Sequence, residues 1–131
     1  MGDVDSKLFF VFFSMIFMHI VDDYYLQGIL AKMKQKSWWK ENAPGVMYEQ
    51  DYIVALIMHS FSWTFMIMLP IAICMSFNMG CMLLAYPINT VIHAIIDHLK
   101  ANKLKINLIM DQYIHLVQIA VTFVLYVACY M

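Results

Sequence analysis

His19 and Asp23 stand four residues apart at the end of the apolar run "LFFVFFSMIFM". The same spacing recurs in "HAIID", His93 and Asp97, and in "DQYIH", Asp111 and His115. Side chains four apart share one face of a helix. His59 stands alone in another apolar stretch. Imidazole and carboxylate together suit zinc, manganese or iron, and two ligands one helical turn apart are a familiar way to hold one ion. His19, Asp23, His59, His93, Asp97, Asp111 and His115 are therefore candidate metal ligands. Asp23, Asp97 and Asp111 are also candidates for general-base work, which needs a carboxylate not committed to the metal. Zinc or manganese is favoured over iron, because the only two Glu, Glu41 and Glu49, lie in a loop, whereas di-iron bundles draw on Glu-x-x-His and further Glu.

The elements that must position these groups follow from composition. The chain has 131 residues, 63% hydrophobic and only 13% charged, with mean hydropathy +0.71. A soluble domain carries about a quarter charged residues, so the composition indicates an integral membrane protein. A span needs about 20 mostly apolar residues. Four segments qualify, roughly 8–30, 52–76, 80–99 and 108–130. The fold class expected is all-α, one domain over 1–131, a four-transmembrane-helix bundle. Pro70 and Pro87 fall within the second and third spans, where membrane helices tolerate proline. "SFNMG" (76–80) reads as a tight turn, "KANKLKIN" (100–107) as a short connection and 32–50 as the one long connection. Cys74, Cys81 and Cys129 lie in apolar stretches and read as packing residues rather than a disulfide framework. The acidic start "MGDVDSK" lacks the basic region of a removable signal peptide.

All eight basic residues are Lys. Seven lie in the first and third connections and one, Lys7, at the opposite end. Cytoplasmic loops carry the Lys excess. Both connections are therefore expected in the cytoplasm, and both termini outside it, in a multi-pass inner-membrane protein. With a rise of about 1.5 Å per residue, the His of each pair lies about 10–16 Å from the Lys-bearing end and the Asp about 4–10 Å. The motif order reverses with helix direction: His precedes Asp in the first and third spans and follows it in the fourth. All three pairs thus place Asp nearer the mouth. An Asp at a span centre costs about 2.5–3.5 kcal/mol, so such groups face the bundle interior and pair. Asp22 and His98 adjoin the motifs but are out of phase with them and read as interfacial. Tyr24, Tyr25 and Trp63 read as packing or belt aromatics, and "KSWWK" as an interface anchor.

The ordered set H-x-x-x-D-[FY]-x-L-Q, a lone His, H-x-x-x-D-x-x-K and D-Q-x-x-H resembles a family of small bacterial and phage membrane proteins known as domain of unknown function 3307. The residues that carry the resemblance are His19, Asp23, Leu26, Gln27, His59, His93, Asp97, Lys100, Asp111, Gln112 and His115, over almost the whole chain. More distantly the arrangement is similar to membrane-bound metal-dependent hydrolases related to zinc phospholipase C. The resemblance implies a metal-dependent hydrolase.

Gln27, Lys100 and Gln112 are then candidates for contact with an anionic small-molecule or lipid substrate, a phosphoester above all. The competing expectations are a proton or metal-ion conduit and a non-catalytic membrane protein stapled by a polar cluster. The expected partner is the lipid bilayer. A homo-oligomer stays open, and no basic nucleic-acid surface is present.

Overall fold

The computed structural model describes residues 2–75 and 78–130. The first two residues of the expected 76–80 turn, Ser76 and Phe77, lie outside the described residues. The described chain is all helical, in the order α1 (Asp3–Val21), a π-helical turn (Asp22–Leu26), α2 (Leu30–Met33), α3 (Lys36–Asn42), a 3-10 turn (Val46–Tyr48), α4 (Asp51–Cys74), α5 (Met79–Ala101) and α6 (Leu108–Tyr130). Four of these helices are long and apolar enough to cross a membrane, the architecture of a multi-pass membrane protein. At about 1.5 Å per residue, each is about as long as the ~30 Å hydrocarbon layer is thick. Pro70 and Pro87 lie inside α4 and α5.

Local chemistry sets the helix ends. Asp3 and Asp5 occupy the first turn of α1, where carboxylates favour the positive end of the helix dipole. Asn78 caps α5 by accepting from the Cys81 amide at 3.1 Å. Asn107 does the same for α6, accepting from Met110 N at 2.9 Å. The first span stops earlier than its hydropathy suggests. The Gln27 amide donates to Asp22 O, one residue further back than in an α-helix. Gly28 then takes φ +49°, the left-handed region that glycine enters without a Cβ penalty. The segment 27–29, expected as helix, is therefore a corner, and α2 begins after it at Leu30.

The bundle is a ring in which α1 packs on α4, α4 on α5, α5 on α6, and α6 closes on α1. Burial follows the expected periodicity. Val11, Met15 and His19 are buried on α1, one turn apart. Helix α4 buries the broadest face, including Leu56, His59, Trp63, Ile67 and Ile71. An apolar core of Val11, Met15, Trp63, Ile67, Ile71, Met82 and Ile119 fills the end away from the lysines. The opposite surface of α1, with Phe9, Phe10, Phe13 and Phe17, is left exposed, as a lipid-facing stripe would be. Cys74, Cys81 and Cys129 are free thiols.

Candidate metal centre

The half of the bundle nearer the lysines is polar inside. His19, His59, His93, Asp97, Asp111 and His115 are all buried, and the Asp23 side chain is only 8% exposed. All seven candidates thus lie inside the ring, each from the helix face its spacing selects. Every one of the four long helices contributes.

His59 and His93 point their Nε2 atoms at each other, 3.2 Å apart. Around His59 Nε2 lie Asp23 Oδ1 at 3.3 Å and Asp97 Oδ2 at 3.4 Å. His93 Nε2 is 3.8 Å from the same Asp97 oxygen. A tetrahedral ion with bonds of about 2.1 Å separates its ligands by about 3.4 Å. The triangle of His59, His93 and Asp97, with edges of 3.2, 3.4 and 3.8 Å, matches one face of such a site. Ligand atoms of Asp23, His59 and His93, and again of His93, Asp97 and His115, lie within 4.8 Å of one another.

Asp22 is a correction to the sequence reading. It is fully buried, not interfacial. Its Oδ1 accepts from Ser62 Oγ at 2.6 Å, and its Oδ2 stands 3.5 Å from His59 Nδ1. Its amide still bonds Met18 O as in an α-helix, and side chains three apart share a helix face as those four apart do, so Asp22 faces inward with His19. Carboxylates on the far nitrogen of a ligating His commonly fix its tautomer. Asp22 Oδ2 and His59 Nδ1 make no hydrogen bond at this distance; their charge contact favours the tautomer with the proton on Nδ1, which leaves the Nε2 lone pair facing the cluster.

His19 is brought in differently. Its Nδ1 accepts from Trp63 Nε1 at 2.8 Å. That leaves the proton on Nε2, which donates to Gln112 Oε1 at 3.0 Å. Gln112 Nε2 in turn donates to Asp111 Oδ2 at 3.1 Å. Both His19 nitrogens are thus engaged, so among the seven it braces the site rather than offering a free ligand atom. Trp63 is a core residue, not a belt residue: it is fully buried and stacks on His93 at 4.1 Å between ring centroids.

The substrate candidates are also engaged. Gln112 bridges His19 and Asp111. Gln27 turns back on its own helix, its Nε2 donating to Asp23 O. Lys100 Nζ donates to Asp111 Oδ2 at 2.5 Å. A second lysine, overlooked in the sequence, is Lys34, whose Nζ reaches Asp97 Oδ2 at 2.6 Å. The bend at Gly28 and the short α2 carry it there. The Asn102 side chain clasps the segment, accepting from Lys36 N at 2.6 Å and donating to Lys34 O at 2.9 Å. His98 stays outside the cluster, stacked on Tyr52.

No family model, curated protein or solved structure matches the chain. The chemical case therefore rests on the side chains themselves.

Proposed function

We propose that the protein is an integral membrane metal-dependent hydrolase whose site faces the cytoplasm and acts on a phosphoester of a lipid or nucleotide. One observation carries this reading. His59 Nε2, His93 Nε2, Asp23 Oδ1 and Asp97 Oδ2 converge in a buried space, and Asp23 Oδ1 has no hydrogen-bond partner. Lys34 donates to Asp97 Oδ2 and the two imidazoles meet each other, but no donor reaches Asp23 Oδ1. A buried carboxylate without a partner is costly, and a shared divalent cation removes the conflict.

His59, His93 and Asp97 would hold the ion, zinc or manganese before iron, with three protein ligands and one position left open. A bound cation supplies Lewis acidity and makes water a usable nucleophile near neutral pH. Asp23, its Oδ1 3.3 Å from His59 Nε2 and without a hydrogen-bond partner, is the base that would take a proton from water. Lys34 and Lys100, ion-paired to Asp97 and Asp111, would turn from these carboxylates to the oxygens of an anionic substrate once a cation takes the carboxylate charge. Trp63 and the apolar core beneath it close the site from the other side.

Chelator-treated and reloaded protein, assayed on lipid and nucleotide phosphoesters, tests the reading. Asp23→Asn is expected to keep its metal and fold and to lose about 10²–10⁴ in turnover. His93→Ala is expected to lose metal and thermal stability together, because a ligand goes with the ring that stacks on Trp63 and a cavity is left in its place. Wild-type protein that carries no metal and is indifferent to chelator ends the proposal.

A second reading has its own support. Polar groups continue past the site along the α5–α6 seam: Gln118 Nε2 donates to Asn89 Oδ1 at 2.9 Å, and Thr122 Oγ1 donates to the same atom at 3.0 Å. At the far end Tyr126 Oη accepts from Asn78 N at 3.1 Å. Such a file suits a proton conduit. Proton flux into liposomes that Asp97→Asn abolishes, with no hydrolysis by wild type, would favour it over the enzyme.

A further inference from the structure

Two ligand-type atoms remain beyond the triangle of His59, His93 and Asp97. His115 Nε2 and Asp111 Oδ1 are buried and lack any hydrogen-bond partner. They are 3.4 Å apart. His115 Nε2 is also 3.7 Å from Asp97 Oδ1. Asp97 therefore turns one oxygen to each group: Oδ2 toward His59 and His93, Oδ1 toward His115.

We propose that the cluster holds two divalent cations bridged by the Asp97 carboxylate, the second taken by His115 Nε2, Asp111 Oδ1 and Asp97 Oδ1. This rests on the metal reading above and goes beyond it in the number of ions and in the role of each residue. Coordination capacity is the first argument. A tetrahedral ion accepts four ligands. The cluster offers six ligand atoms, from His59, His93, both Asp97 oxygens, His115 and Asp111, before Asp23 is counted. An ion bound by His59 and His93 leaves His115 and Asp111 facing each other with their partners missing.

Charge is the second argument. Asp22, Asp23, Asp97 and Asp111 bring four negative charges, and Lys34 and Lys100 two positive ones. One divalent ion makes the site neutral. A second leaves it two units positive, the balance that an anionic phosphoester completes. Paired ions suit phosphoryl chemistry because one can serve the attacking oxygen and the other the leaving oxygen. Gln112 and Lys100, both on Asp111 Oδ2, leave its Oδ1 free for this ion.

The test is manganese loading of the purified, chelator-stripped full chain in detergent. Metal per chain is counted by elemental analysis, and exchange coupling is read by electron paramagnetic resonance. Wild type is expected to bind two Mn2+ per chain with a spin-coupled spectrum. His115→Gln is expected to bind one, with an uncoupled spectrum. Asp111→Asn serves as a second variant in case His115→Gln fails to fold, and is expected to weaken the second ion at least tenfold. Wild type that saturates at one uncoupled ion overturns the second ion and leaves the first intact. Two coupled ions in both folded variants also overturn the assignment. No bound ion in wild type overturns both readings together.

Discussion

Asp22 and Asp23 are neighbours in sequence and face different partners: Ser62 and His59 Nδ1 for the first, His59 Nε2 for the second. The same imidazole is thus contacted at both nitrogens by adjacent carboxylates, one outside the cluster and one within. This sets a sharp expectation for Asp22→Asn. The amide still offers an oxygen to Ser62, but it now presents an N–H to His59 Nδ1. Nδ1 must then accept, the ring proton moves to Nε2, and the lone pair no longer faces the metal. Metal affinity should fall about 10–100-fold, with the helical content and melting behaviour of the unloaded protein little changed. Titration calorimetry of wild type and variant measures it. Equal affinities would mean that Asp22 is only a satisfied core group.

At the scale of elements, periodicity explains what the sequence revealed. His93/Asp97 and Asp111/His115 sit on regular helices, where a spacing of four translates directly into a shared face, and His19/Asp23 keeps that face although Asp23 already lies in the π-helical turn. The four spans were legible for the same reason, from continuous hydropathy. Asp22 and Lys34 were not. Asp22 stands three residues after His19, on the same face, and a pattern of fours passes over it; Lys34 reaches Asp97 through a bend and a short helix that no period describes. Trp63 is the packing residue that was one of its two expected roles, but its N–H bond to His19 is something no spacing shows. The α2–α3 segment has a consequence of its own. Its attachment runs through Asn102, which bonds Lys36 N and Lys34 O. Losing both bonds in Asn102→Ala should cost about 1–3 kcal/mol, felt by the segment more than by the bundle. Lys34 should then react faster with an amine-directed reagent than in wild type, with little change at Lys105. Unchanged reactivity at Lys34 would show that the ion pair with Asp97, rather than the clasp, holds the segment.

At the scale of the whole molecule the question is which way the ring faces. The structure places α2, α3 and the α5–α6 connection at one end, together with seven of eight lysines and the ion pairs of Lys34 with Asp97 and Lys100 with Asp111. The opposite end holds the start of α1, the start of α5 and the apolar core. On the reading proposed above, lysine asymmetry would put the first end in the cytoplasm, and a cytoplasmic phosphoester could then reach the site without crossing the bilayer. In a background where Cys74, Cys81 and Cys129 are replaced by Ala, single cysteines at exposed Lys32 and Lys105 should resist a membrane-impermeant maleimide in intact cells and label after lysis. Single cysteines at exposed Asp3 and Met79 should label in intact cells. These positions avoid Asn78 and Asn102, whose side chains hold backbone in place. The reverse pattern would turn the site outward, so the substrate would have to be extracytoplasmic or lie in the outer leaflet. The cluster itself would be untouched, because its geometry depends on the ring of helices and not on the side it faces.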